Sequence, residues 1–296
     1  MLIFGTQYSK DLIYRLLLVC CLLLTLPALA QNGALHGGPV NAQCPQYTSV
    51  AVRMDGGQNA PAVQTLICGL VTDGTYSLFD GLYLFATNSA TNAKLNWAQN
   101  NYNLTQSGSI TYTANSNAIS DGTTGYLATG YNTSTAGGHF ALNSNFMGVC
   151  HLNNRTTVNG TTWSMGVFVS GVSETGISPL DFTNGSSFYN NNTTALGVTT
   201  STALGSWINY RTASGTWGIW YNNASGNTAS TTSLSLPNAN LMIMTLNSAN
   251  PTSNLSVDNL AYAFFGGGGS FTTSTLSTIY NRLHTYLSAV GAPAGC

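Results

Sequence analysis

The sequence predicts a mainly β protein: a two-sheet antiparallel sandwich or jelly roll, with a short helical segment before it and one helix after it. Three observations point there. Short runs rich in Thr, Val, Tyr, Phe and Trp recur at regular spacing from about residue 101, bounded by Gly and Asn clusters. Helical spacing of apolar residues is found ahead of this region and behind it. Charged residues are scarce: they make up 5% of the 296 residues, against roughly 25% in an ordinary soluble domain.

The first 30 residues read as a secretory signal peptide. Lys10 and Arg15 precede an apolar run over 16–26, Pro27 breaks it, and Ala28-Leu29-Ala30 is a small-residue cleavage pattern ahead of Gln31. The run is shorter than the roughly 20 residues that span a bilayer. The processed chain is therefore expected in an extracellular or periplasmic space, not within a membrane. Residues 31–46 are aperiodic and bear Gly and Pro, as a linker does.

Over 47–100 the pattern is helical. Val63, Leu66, Ile67 and Leu70 share one helix face. Leu78, Leu82 and Phe85 repeat the spacing and predict a second helix, and Ala90, Ala93 and Trp97 a short third. The sandwich is assigned to 101–270, with strands at 109–113, 125–129, 146–152, 163–170, 206–211, 216–222, 241–247 and 260–265. After the glycine run at 266–269, Leu276, Ile279, Tyr280, Leu283, Leu287 and Val290 predict a C-terminal helix within 271–291 that packs on the sandwich.

Four cysteines lie beyond the signal peptide: Cys44, Cys68, Cys150 and Cys296. An oxidising compartment lets them pair. Cys44 with Cys68, nearest in sequence, is the preferred pair. Cys68 and Cys150 also sit in apolar runs, as plain buried thiols do.

Composition excludes some roles. Duplex nucleic acid requires clustered Lys and Arg, and the whole chain holds seven. The surface is instead wetted by Asn, Ser, Thr and Gly, which suits uncharged polar partners such as sugars. Glycoside hydrolysis needs two carboxylates across one bond. Glu174 is the sole Glu, and Asp181, in a loop-like stretch, is its nearest acidic neighbour, so no enzyme is expected. Neither G-x-S-x-G nor H-E-x-x-H occurs, and His139 and His151 belong to no metal set. Asp121-Gly122 reads as a tight turn. No cofactor is expected; calcium held by Asp121 with a loop Asn is the alternative to that turn.

The aromatic set on two neighbouring strands is the candidate ligand site. Trp217, Ile219 and Tyr221 share one strand face and Trp220 takes the other. Trp220 is then the outward stacking ring, Asn222 and Asn223 its polar partners, and Trp207 and Asn209 lie on the strand alongside. Core filling is the competing use for these rings. Asn-x-Ser/Thr acceptors recur from Asn103 to Asn254, Asn159 and Asn184 among them.

Several stretches together carry a resemblance: Asp73-Gly74-Thr75-Tyr76, Phe79-Asp80-Gly81-Leu82-Tyr83-Leu84-Phe85-Ala86, Lys94-Leu95-Asn96-Trp97, Tyr102-Asn103-Leu104-Thr105, the segment from Asp121 to Asn132, and the closing helix. Their order resembles uncharacterised phage-encoded and bacterial proteins with a concanavalin A-like lectin/glucanase (LamG-like) sandwich. The resemblance covers residues 47–291 and implies a helical lead-in, a jelly roll and a final helix. It brings no catalytic residues. The signal peptide departs from the phage pattern and favours export. The sequence thus reads as a secreted, non-enzymatic carbohydrate-binding or adhesive module for neutral glycans, monomeric or oligomeric. The rival readings are a structural fibre, virion or appendage protein, and a glycoside hydrolase on the same fold.

Overall fold

The computed structural model describes residues 43–56, 59–155, 162–180, 185–248, 254–269 and 271–296. The signal peptide, Asp181, Asn159 and Asn184 lie outside them. The architecture is mainly β, with two antiparallel sheets packed as a sandwich.

The larger, eight-stranded sheet runs β12 (Ala224–Ala229), β11 (Thr216–Tyr221), β10 (Gly205–Ala213), β6 (Asn145–His151), β14 (Asn259–Gly267), β4 (Asn117–Ser120) and β3 (Ile110–Thr113), with β1 (Phe79–Leu84) also on β14. The six-stranded sheet runs β2 (Thr105–Ser107), β5 (Tyr126–Asn132), β13 (Asn240–Ile243), β7 (Met165–Val169), β8 (Ser173–Ser178) and β9 (Ser187–Asn192). Among the described residues there are four α-helices: α1 (Pro45–Ala51), α2 (Ala60–Thr72), the short α3 (Ala90–Ala93) and α4 (Thr273–Val290).

Two cores result. One lies between the sheets, where Met147, Val149 and Phe265 of the larger sheet meet Leu127, Val167 and Ile177 of the smaller. The other lies on the far face of the larger sheet. There Phe146, Ile208 and Phe264 pack against Val63, Leu66, Ile67 and Leu70 of α2 and Leu276, Ile279 and Leu283 of α4. The helical spacings read in 60–72 and 273–290 are these buried stripes. A left-handed Gly291 (φ 74) ends α4.

The second expected helix is a strand. Residues 79–84 form β1, buried along its whole length. Leu82 and Leu84 enter the helix-side core, and Tyr83 enters the intersheet core. A strand buried on both faces is apolar at nearly every position, so helical spacing appears in it by coincidence. Trp97 lies beyond α3, in a loop, yet fully buried. β13 stops at Ile243, short of the expected Asn247, because Met244 turns left-handed (φ 66).

Two disulfides close the structure, Cys44–Cys68 with Cα atoms 5.5 Å apart and Cys150–Cys296 at 5.9 Å. The first ties the start of α1 to α2, and the second ties β6 to the tail after α4. Each restricts the unfolded chain by roughly 3–5 kcal/mol.

Each end of the sandwich is plugged by a buried arginine. At one end Arg155 pairs with Asp258, donates to the carbonyl oxygens of Thr162 and Leu180, and donates to Ser164 Oγ. Ser164 Oγ lies 3.0 Å from His151 Nε2. Burial, and then the Arg155 charge, outweigh the pull of Asp258 and lower the His151 imidazole to about 4, so it is neutral. A serine, a histidine and an aspartate in this order resemble a nucleophilic triad, but all three are sealed from solvent and no substrate reaches them.

At the other end Arg211, fully buried, pairs with no carboxylate among the described residues. It donates to the backbone oxygens of Asn190, Ala213, Ser214 and Thr231 and lies 5.6 Å from the Trp217 ring. Asn190 in turn bonds Asn145 and Asn209. Arg211→Met should therefore strand several carbonyls and lower unfolding free energy by about 3 kcal/mol, with Arg211→Lys restoring only part. Urea unfolding followed by tryptophan fluorescence measures both.

Candidate functional site

The candidate site is a cleft of about 490 Å³ at the edge where β1, the loop after α3 and the loop after β5 meet. Its floor is the carboxylate of Asp80, only 3% exposed. Asp80 Oδ1 accepts the His139 amide at 2.8 Å. Its Oδ2 accepts the Phe140 amide at 2.6 Å and the Tyr131 hydroxyl at 2.9 Å. Gly138 allows this approach, since a Cβ there would stand 2.3 Å from Asp80 Oδ1. Burial and the Asp80 charge push the Tyr131 phenol far above its ordinary range, so it remains a protonated donor.

The walls are polar and aromatic. Gln99 and Asn101 line one side and His139 another, with Tyr76 and Tyr102 half-exposed at the rim. Gln99 Nε2 donates to the Asp80 carbonyl and Tyr76 Oη to the carbonyl of Trp97. The Tyr102 ring stands edge-on to Tyr131, centroids 5.1 Å apart. No Lys or Arg lines the cleft. Arg53, nearby, spends its guanidinium on the carbonyls of Ser49, Asn96 and Gln99. The site therefore offers amide, hydroxyl and imidazole groups, partly exposed rings, and one carboxylate already engaged by its own fold. Such a set suits hydroxyl-rich, uncharged ligands.

The aromatic cluster read from the sequence is divided by the larger sheet. Trp217 and Ile219 are buried between the sheets. Trp207 and Asn209 are sealed there too, Trp207 donating to the Ala203 carbonyl and stacking on Tyr221 at 4.0 Å, and Asn209 bonding the carbonyls of Gly176 and Tyr189. Trp220 does take the opposite face, but that face is roofed by helices, and its ring is half-buried against their core. Asn222 and Asn223 form an exposed left-handed turn, φ 44 and 64, in which Asn222 Oδ1 accepts the Ser206 amide. Trp207 and Asn209 are thus sealed in the intersheet core, while Trp220, Asn222 and Asn223 lie outside it, Asn223 Nδ2 donating to Asn281 Oδ1 of α4.

The remaining candidates lie away from the cleft. Asp121 Oδ1 accepts the amides of Thr123, Thr124 and Gly125 and Oδ2 the Thr124 hydroxyl. Desolvation opposes its charge, but these bonds prevail and hold the carboxyl well below the usual range. This is the tight-turn use, and among the described residues no group of three or more His, Cys, Asp or Glu side chains could hold a metal ion. Glu174 lies on β8 opposite Phe168 and Asn192, away from the cleft, and burial pushes it up to about 7.

No family model and no curated protein matches the chain. Solved structures match in fold. A structure of botulinum neurotoxin type C, described for its interaction with two ganglioside molecules, aligns with TM-score 0.52 and 11% identity over 71% of this chain and 52% of that one. The receptor-binding domain of the botulinum neurotoxin C/D mosaic serotype aligns with TM-score 0.52 and 8% identity over 70% and 51%. Domain 4 of an extracellular arabinanase from Geobacillus stearothermophilus, in complex with arabinotriose, aligns at 0.48 and 11% identity over 68% and 98%. The chain spans about half the length of the toxin structures it matches. The likeness is one of fold, a two-sheet β-sandwich.

Glu174 gives a pH test. Its folded pKa is raised from 4.5 to about 7. Below 4.5 it is protonated folded or unfolded; as pH rises toward 7 the unfolded chain ionises first and stability is lost. Glu174→Gln should match the natural protein at pH 4 and exceed it by about 3 kcal/mol at pH 8. Denaturant titrations at both pH values measure this.

Proposed function

We propose that the chain is a secreted, non-enzymatic carbohydrate-binding module that takes neutral glycans in the Asp80 cleft. The observation that carries this reading is the character of the cleft. It is lined by neutral hydrogen-bonding side chains and tyrosine rings, without Lys or Arg, and its one carboxylate is already bonded to Tyr131, His139 and Phe140. Sugar hydroxyls would pair with Gln99, Asn101 and His139, and the apolar sugar faces would rest on Tyr76 and Tyr102. The ganglioside interaction of a toxin with this fold supports a carbohydrate partner.

Export is supported by the leader pattern over 1–30 and by the two disulfides, which persist in oxidising compartments. Among the described residues no helix is long and apolar enough to cross a membrane. The character of the cleft supports the non-enzymatic part of this reading. Hydrolysis needs two carboxylates flanking the scissile bond, and Asp80 is the one acid in the lining.

A glycan array followed by calorimetry tests the proposal. Asn101→Ala and His139→Ala should each weaken neutral-oligosaccharide binding by roughly tenfold. Both side chains are exposed, so the melting temperature should hold. Full retention of binding in both variants, or a blank array with stable oligomers in solution, would overturn it. The latter result would favour the structural-protein reading, and polysaccharide cleavage lost on Asp80→Asn would favour the hydrolase.

The interaction should also be insensitive to ionic strength. Between low and high salt the affinity should change by less than about twofold, since the cleft presents no cation to be screened. A tenfold loss would indicate an ionic partner.

A further inference from the structure

Resting on the glycan-cleft reading, we propose that Tyr83, which lies beneath the cleft and lines no part of it, is the positioning residue that holds the Tyr102 ring in its binding pose. Tyr102 has φ 59. This left-handed region is uncommon for an aromatic residue and persists only where the surroundings over-determine it. Here the surroundings do so residue by residue. Asn96 Nδ2 donates to the Asn101 carbonyl at 3.0 Å. Tyr83 Oη donates to the Tyr102 carbonyl at 2.8 Å. The Asn103 side chain accepts the Asn96 amide at 2.8 Å. Three consecutive residues are thus gripped from the protein side, and the ring of the middle one is left at the cleft rim.

The rings repeat the connection. Tyr83 packs near Phe265 at 6.2 Å, Phe265 near Tyr131 at 4.8 Å, and Tyr131 near Tyr102 at 5.1 Å. Tyr83 itself is fully buried. Burial and the Asp80 charge hold its phenol well above 10, so it stays a donor. β1 therefore serves the cleft twice. Asp80 fixes the floor through Tyr131, and Tyr83, three residues on, fixes the rim through Tyr102. A strained rim residue held from below presents its ring in one orientation before any ligand arrives, which reduces what ordering the site costs on binding.

The test is Tyr83→Phe, which deletes the hydroxyl and keeps every ring contact, so the fold is retained. Tyr262→Phe is the control. It deletes another buried hydroxyl, 2.8 Å from Ser206 Oγ, on the helix side of the sheet. The probe is a pooled set of neutral glucose, galactose and mannose hexasaccharides. Tyr83→Phe should lose at least about tenfold in affinity, and Tyr262→Phe should bind as the natural protein does. Equal binding by Tyr83→Phe, or parallel losses in both variants, overturns the proposal while leaving the glycan reading intact. If the natural protein binds no hexasaccharide, the glycan reading fails by itself. The positioning claim is then decided by a crystal structure of Tyr83→Phe: residue 102 leaving the left-handed region supports it, and residue 102 staying there overturns it.

Discussion

A single buried carboxylate organises the cleft end of this protein. Asp80 belongs to β1 of the larger sheet, and its partner Tyr131 belongs to β5 of the smaller. Their bond, with the two amides from His139 and Phe140, joins the sheets at one edge and folds the 137–140 loop over it. An ionised group this deep is tolerated only when its oxygens are satisfied. The loop path, the glycine at 138 and the Tyr131 rotamer are therefore consequences of one charge. The cleft is the space left beside that arrangement, and it is nearly neutral because the charge is already used.

The same rule governs the two ends of the sandwich. A core of short strands leaves backbone oxygens unpaired where strands diverge, and a guanidinium can satisfy several at once. Arg155 does so with help from Asp258, and Arg211 does so with none. β6 runs between these two plugs. His151 meets the first, and Asn145, bonded to Asn190, the second. Most of the few basic residues are thus inside the protein or occupied at its surface.

What could be read from the sequence follows from which faces are apolar. β5, β7, β10 and β11 combine β-branched or aromatic residues with turn signals, and their positions are legible. β8 (SETGIS), β9 (SFYNNN) and β12 (ASGNTA) are largely polar. β8 and β9 escape because the intersheet space beside them holds the Asn190 network, and β12 because it is an exposed edge. β1 was obscured by burial on both sides. The aromatic pattern of β11 was correct in alternation, but a roof of helices over the far face cannot be read from one strand. The cleft was the least legible feature. Tyr76, Asp80, Asn101, Tyr131 and His139 are scattered along the chain and meet only through sheet topology. The available signal was an acidic residue set inside the apolar run 78–86, a position that demands partners.

The placement of the basic residues bears on resistance to proteolysis. Beyond residue 30, proteases that cut after Lys or Arg have only Arg53, Lys94, Arg155, Arg211 and Arg282 to recognise. Arg155 and Arg211 are enclosed, Arg53 is bound to three carbonyls, and Arg282 is paired with Asp73 on the face of a helix. Lys94 is half-buried just after α3. A folded molecule built this way presents trypsin-like enzymes with almost no accessible, extended cleavage point, and the Cys150–Cys296 bond would hold the halves together after a single cut between them. Scarcity of charge thus also limits where a trypsin-like protease can cut the folded chain.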